Sequence, residues 1–422
     1  MLNRRSLLKG AAAAGFTVTA SGLALPAYAA NRTIKIGFVT PQTGPLAIFG
    51  EPDDFVLDQF RTALADGLDI GGTKHPVEII IKDSQSSSNR ASAVAQELIF
   101  EDEVDLICAS STPDTTNPVA DQAELNGVPC VTNDTPWQPH FFGRQGNPET
   151  GFEYTNHFFW GLEDIIDVFM SLWDGVETNK VVGALWPNDP DGNGWSNPEL
   201  GFPPVMEKAG YTLVDPGRYQ NMTDDFSAQI SAFKEAGVEI VSGVMIPPDF
   251  TTFWTQAAQQ GFQPKVVNVA KASEFPQAMG ALGDRADGLS VEVWWHKMFP
   301  FASSFNGQTC EQLADAYEAA TGNPWTMPLG AKHSLFEVVM DSLKRTQDID
   351  SPESIAEAIR ATDLDTVFGK VNFNTGPVPS ISKTPLAGGQ WQIEDGKPEL
   401  KIVTNTHSPE IPLTGELKPI TL

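Results

Sequence analysis

Ile34-Lys-Ile-Gly-Phe-Val-Thr-Pro-Gln-Thr-Gly-Pro-Leu-Ala-Ile-Phe-Gly-Glu51 begins as an apolar run, stops at a Thr-Gly-Pro turn and restarts with small residues. A parallel strand covered on both faces reads as a continuous apolar run, and the loop leaving its carboxyl end is where open α/β sheets bind ligands. The stretch predicts a buried strand over 34–40 and, behind it, a ligand loop that carries Phe49.

Outward from this stretch the same unit recurs. Strand-like runs at 77–83, 104–109 and 128–132 are separated by helically spaced apolar positions at 53–65, 92–101 and 117–126. A second series of runs, at 180–186, 211–214, 239–245, 265–269 and 289–295, alternates with helical stretches at 203–209, 226–236 and 250–260. Beyond Trp295 the pattern turns helical, at 311–320, 332–346 and 352–361. A short strand at 368–373 and a hairpin at 386–403 around Glu394-Asp-Gly-Lys397 follow. Strands alternating with helices in two sets predict an α/β chain with two doubly wound parallel-sheet lobes. No fixed-period repeat or low-complexity linker interrupts it.

The first 30 residues read as a leader for export. Arg4-Arg5 followed by Ser6-Leu7-Leu8-Lys9, a mild apolar stretch and Ala27-Tyr28-Ala29 fit a twin-arginine signal cleaved near Ala29. Nothing in the sequence reaches the ~20 strongly apolar residues that a membrane span needs. The remaining chain is long enough for two cored domains of ~100–200 residues each. The full sequence has 54 acidic against 27 basic residues, a balance that repels nucleic acid and anionic lipid, and losing the leader's Arg4, Arg5 and Lys9 makes it more negative still. Of the three cysteines, Cys108 and Cys130 lie within buried-type strands, so no disulfide is expected.

Catalytic signatures are missing. Gly194-Trp-Ser196-Asn-Pro198 has Pro where a nucleophile elbow needs Gly, and the six histidines fall in no zinc spacing. No cofactor and no metal ligand is assigned. Asp189-Pro-Asp191-Gly192-Asn193-Gly194 matches positions 1, 3, 5 and 6 of a calcium loop, but Leu200 stands where a bidentate Glu belongs. A polar βα loop using Asp, Asn, Pro and Gly for turn geometry is the plainer reading, with calcium left as an alternative.

Strand-end loops carry the binding signal. Ser111, Thr112 and Asp114 precede a helix, where hydroxyls and free N–H groups either cap the helix or make an anion site. Asp134, Thr135 and Trp137 follow the 128–132 strand, Asn193 and Trp195 follow 180–186, Ile246 and Pro247 follow 239–245, and Lys271 follows 265–269. With Phe49 and Trp294, the tryptophans suit a flat or apolar solute.

The first strand and loop, and the order of elements from about 32 to 405, resemble the branched-chain amino-acid type of periplasmic solute-binding proteins that serve ABC importers. The resemblance implies a type I periplasmic binding fold. Three crossovers, near 156–159, 293–296 and 373–374, would join lobe 1 (31–156 plus 296–372) to lobe 2 (157–295 plus 373–422). They would form a hinge over a central cleft that closes like a clamshell. It further implies a periplasmic, non-enzymatic monomer that delivers a small-molecule ligand to ABC permease subunits, or one that feeds a receptor kinase. The residues depart from the amino-acid binders: Ala270-Lys271 stands where they carry a carboxylate for the ammonium, and Ile246-Pro247-Pro248 replaces their tyrosines. Pro113 replaces a carboxylate-capping serine, and Asp134 and Pro136 replace an Ala-Thr pair. The expected ligand is therefore a small organic acid, aromatic carboxylates included, with its carboxylate near the helix ends or Lys271; a branched-chain amino acid is the alternative.

Overall fold

The structure, a computed structural model, describes residues 31–420. The expected leader, with its export and cleavage signals, lies outside them. One sheet is built from β1 (Ile34–Thr40), β2 (Val77–Asp83), β3 (Leu106–Ser110), β4 (Cys130–Asn133) and β5 (Thr155–Phe158). A second holds β6 (Val181–Leu185), β7 (Thr212–Val214), β8 (Ile240–Met245), β9 (Val266–Lys271) and β10 (Ser290–Val293). Late in the chain β11 (Ile381–Ser382) returns to the first sheet, and the hairpin of β12 (Ala387–Glu394) and β13 (Lys397–Thr404) completes the second. The strand orders are β11-β5-β4-β3-β1-β2 and β13-β12-β10-β9-β8-β6-β7. All pairings are parallel except those of β12 with β10 and β13.

Every residue of β3, β4, β8, β9 and β10 is buried, as strands covered on both faces must be. In each sheet the strand order reverses beside the first strand, between β1 and β3 and between β6 and β8. Loops leaving the two strands on either side of such a reversal part in opposite directions and leave a crevice at their carboxyl ends. The two crevices face each other.

The helix Met327–Arg345, predicted from 332, starts earlier and is buried along most of its length against the first sheet. The helix Leu162–Asp174, which the sequence pattern left unassigned, packs Ile165, Ile166, Phe169 and Trp173 against the second. The helix predicted over 117–126 begins at Pro113, because Thr112 is extended and Pro113 has the fixed φ of a first helical residue. Cys108, Cys130 and Cys310 are free and buried. None of the helices in the described residues is long and apolar enough to cross a membrane.

The chain passes between the sheets three times. β5 pairs with β4 and β11 through Phe158, so residues 157–158 belong to the first sheet and the first passage is 159–161. The second follows β10 at Trp294 and Trp295. The third lies at 383–386, later than the resemblance implied, because Ile381–Ser382 adds an edge strand to the first sheet. Two residues are too few to show a strand period. The strand expected at 368–373 is half of a small ribbon, Asp363–Thr366 with Gly369–Asn372, outside both sheets.

Side chains lace the passages together. Lys383, on the third, bridges Glu163 at 2.8 Å and Asp164 at 2.7 Å, in the first helical turn after the first passage. Trp295 donates its indole N–H to the Val367 carbonyl at 3.1 Å and lies edge-on to Trp325, and its ring covers Gly330, where a Cβ would come within 2.1 Å of the indole. Gly330→Ala forces that ring or the helix to move. Overpacking of this kind costs about 1–3 kcal/mol, so the thermal midpoint of Gly330→Ala should fall measurably below that of the parent in a calorimetric scan.

Candidate ligand-binding site between the lobes

A cavity, partly open to solvent, lies between the two crevices. It holds about 330 Å³ of atom-free space, of which about 30 Å³ can take the centre of a water-sized sphere. Both lobes and two of the passages line it. The β1 loop brings Phe49, whose ring meets Phe275 of the other lobe edge-on at 4.9 Å. With Leu46 and Ile246 these rings form a small apolar cluster that bridges the lobes beside the cavity.

From β3 comes Thr112. It ends an extended segment before the helix Pro113–Asn126, yet its hydroxyl makes no capping bond and has no partner among the described residues. Behind β4 stands Asp134, 5% exposed and in the left-handed region at φ 64°. Burial pushes its carboxyl well above the usual carboxylate range against the pull of Lys332, and its Oδ2 has no hydrogen-bond donor. Lys332 itself is fully buried and committed to Asp53 at 2.9 Å, Thr40 and the Ser110 carbonyl.

The second lobe supplies the charged wall. Lys271 ends β9 at φ 62°, ψ −57°, the γ-turn region that L-residues occupy only under strain. Its ammonium lies 2.5 Å from Asp191 and 3.9 Å from Asp189. Burial pulls the lysine down, but Asp191, Asp189 and Asp114 outweigh it and hold it charged. Burial raises Asp191 to about 6 although Lys271 opposes the shift, so the pair is ionised at neutral pH. The Lys271 backbone N–H donates to Glu274 at 2.9 Å, and the Trp294 indole bonds the same carboxylate. Glu292, in the middle of β10 and fully buried, faces Glu274; burial and that neighbour push it well above the normal range. Trp160 and Trp195 complete the walls, both buried, and neither indole N–H has a partner among the described residues.

Of the residues expected at the site, Phe49, Thr112, Asp134, Trp195, Lys271 and Trp294 line the cavity. Asp114 and Ile246 line the adjoining mouth of the cleft, which Lys271 separates from the cavity. Ser111 and Thr135 lie beneath it, the Thr135 hydroxyl donating to the Ser111 carbonyl. Trp137 is turned away, bonding Glu163 at 3.2 Å and packing on Phe141. Asn193 lies on the short helix Pro190–Trp195 and Pro247 opens the 13-residue helix Pro247–Gln259, both outside the cavity. The run that resembles a calcium loop is a helix, Pro190–Trp195. The Asp189 carboxylate caps it at the Gly192 N–H, and Asp191 pairs with Lys271, so turn geometry and an internal ion pair occupy its acids. Trp160, Glu274 and Glu292 had no assigned role. Glu292 left a signal in Leu289-Ser-Val-Glu-Val-Trp-Trp295, because an acid inside a strand buried on both faces is rare without a purpose.

A two-lobed frame with three passages and a shared cavity is what a ligand-trapping fold requires. A family model described as a periplasmic binding protein matches residues 33–379. The chain belongs to the periplasmic binding protein family. Among relatives of this periplasmic binding protein, Leu/Ile/Val-binding protein homolog 7 of Brucella suis biovar 1 is 22% identical over 404 residues, covering 90% of this chain and 94% of the relative. The leucine binding protein LivK of Thermotoga maritima has a TM-score of 0.70 and 19% identity, over 88% of this chain and 99% of that one. A solute binding protein of an ABC transporter from Rhodopseudomonas palustris BisB5, solved with 3,4-dihydroxy benzoic acid, has a TM-score of 0.70 and 18% identity, over 88% of this chain and 96% of that one. The fold is the type I periplasmic binding fold.

Because Lys271 neutralises buried acids, Lys271→Met should destabilise the ligand-free protein by about 3–5 kcal/mol, the range for stranding a buried charge. Adding Asp191→Asn should recover part of that loss. A double-mutant cycle by denaturant unfolding measures both.

Proposed function

We propose that this periplasmic binding protein is the extracytoplasmic solute-binding component of an ABC importer. It would capture one small molecule between its lobes by hinge closure and hand it to the membrane permease without chemical change. The observation that carries this reading is the cavity itself, lined from both lobes by tryptophan walls and by buried polar atoms that have no partner among the described residues. A buried donor or acceptor left unpaired costs about 1–3 kcal/mol, so a solute that pairs with several at once favours the closed state. No nucleophile with a base in reach was legible in the sequence, which supports binding without turnover.

The solute is small, given the space, and has an apolar or flat portion that fits between Trp160, Trp195 and Trp294. The relatives bracket the choice, since one structure is named as a leucine binder and another holds a dihydroxybenzoic acid. An acid gripped by Lys271, as the sequence suggested, has to displace Asp191 from the ammonium. The helix start at Thr112 and Pro113 remains the available place for an anionic group.

Native mass spectrometry of protein purified without denaturation should show one small molecule bound per chain, recovered with its mass unaltered after unfolding. Ligand-stripped protein should melt at a lower temperature, and returning the molecule at a hundred times its Kd should restore about 2.7 kcal/mol. Protein that carries nothing and gains no stability from any extract or solute library, or that returns an altered molecule, would contradict the reading.

A further inference from the structure

Five charged side chains line the cavity, Asp134, Asp191, Lys271, Glu274 and Glu292, and four of them are acids. The single cation is taken: Lys271 meets Asp191 at 2.5 Å, with Asp189 behind it. Glu274 receives the Lys271 backbone N–H and the Trp294 indole. Beyond the Glu274 carboxyl that faces it, no hydrogen-bond partner meets Glu292 among the described residues, and Oδ2 of Asp134 has none, although both side chains are more than nine-tenths buried. The ionisable neighbour of Glu292 is another acid. What the cavity lacks beside Glu292 and Asp134 is an uncommitted positive charge. An anion would enter beside Glu274, Glu292 and Asp134 with no free counter-charge.

The remaining walls point the same way. Trp160, Trp195 and Trp294 present indole rings, with Phe49 and Phe159 beside them, around the same small space. Aromatic faces attract a cation within about 6 Å of the ring centroid, most strongly for indole and most of all when water is excluded. Tryptophans around a buried carboxyl with no counter-ion form a setting for a substituted ammonium. Independently of the acids, the unpartnered indole N–H groups of Trp160 and Trp195 and the free Thr112 hydroxyl offer donors. A matching solute carries a neutral acceptor oxygen, such as a hydroxyl or carbonyl, at a distance from its positive centre.

We propose that the captured solute is a small organic cation, an amine or quaternary ammonium bearing a neutral oxygen, whose positive centre lies against Glu292 between the tryptophan walls. This rests on the solute-binding reading and specifies the charge of its ligand. The acid at Glu292 lies on a strand of the sheet itself, while Lys271, the residue that would select an anion, serves as internal counter-charge.

The test is isothermal titration of ligand-stripped full-length protein with charge-matched probes. These are choline against its uncharged isostere 3,3-dimethylbutan-1-ol, and benzylamine against benzyl alcohol and benzoate, with leucine as the zwitterion. At least one cation should bind ten-fold or more tightly than its neutral isostere, and benzoate should give no heat. Glu292→Gln, which keeps the shape, should lower that cation's affinity ten-fold or more and leave the neutral isostere unchanged; a fall in both would mark a structural effect and contradict the assignment. Failure of every cation to bind, or tighter binding by benzoate or leucine, overturns the proposal. A copurified molecule identified as neutral or anionic would overturn it too, while leaving the solute-binding function standing.

Discussion

Lys271 ends a central strand in a backbone conformation that side chains seldom adopt, and its ammonium meets Asp191 inside the same lobe. Much of the cavity follows from that contact. Strain at a residue costs roughly 1–3 kcal/mol and persists only where its surroundings fix it. Here the fixing partners are Glu274, which accepts the backbone N–H of Lys271, and the acids of the short helix Pro190–Trp195, which accept its charge. The lysine thus pins a helix, a strand end and a 3-10 turn into one wall before any solute arrives. Asp134, the other strained residue lining the cavity, holds the matching position behind β4 of the facing lobe. Both walls of the cavity are thus fixed within their own lobes, and on the proposed reading closure would need to supply little beyond the approach of the lobes.

That approach is restricted by the frame. Three passages rule out free tumbling of the lobes and leave hinge closure as the available motion. The passages also enter the site: Phe159 and Trp160 from the first and Trp294 from the second line the cavity, and the Lys383 bridge ties the third to the helix that follows the first. On the proposed reading, hinge and binding site are parts of one structure, and a solute that stacked on Trp160 or Trp294 would touch the chain that bends.

The architecture was largely legible in the sequence, and for a physical reason. Strands buried on both faces must be apolar throughout, so 34–40 and 239–245 declare themselves without their neighbours. Two elements lack that property: Ile381–Ser382 is too short for a period, and Thr155–Phe158 reads as Thr-Asn-His-Phe, whose His157 finds its partners in tertiary neighbours, the Thr132 hydroxyl and the Thr135 carbonyl. Phe49, Thr112, Trp195 and Lys271, expected from their place in strand-end loops, line the cavity. The role of Lys271 was not legible, since no spacing rule tells that Asp191, eighty residues earlier, would reach its ammonium. Trp137 was misplaced for a similar reason: its indole found Glu163 at the start of a helix that the pattern had not marked. Side-chain pairing across distant segments decides what a loop residue does, and sequence order conceals it.

Closure over a shared cavity is most directly tested by distance measurements between spin labels on opposite rims of the mouth, at Ser88→Cys in the first lobe and Gln220→Cys in the second, both exposed. The native cysteines are buried and should remain unlabelled. Protein carrying its copurified solute should give one short, narrow distance, and stripped protein a longer and broader one that collapses to the first when the solute is returned. Identical distributions in the two states would contradict capture by closure.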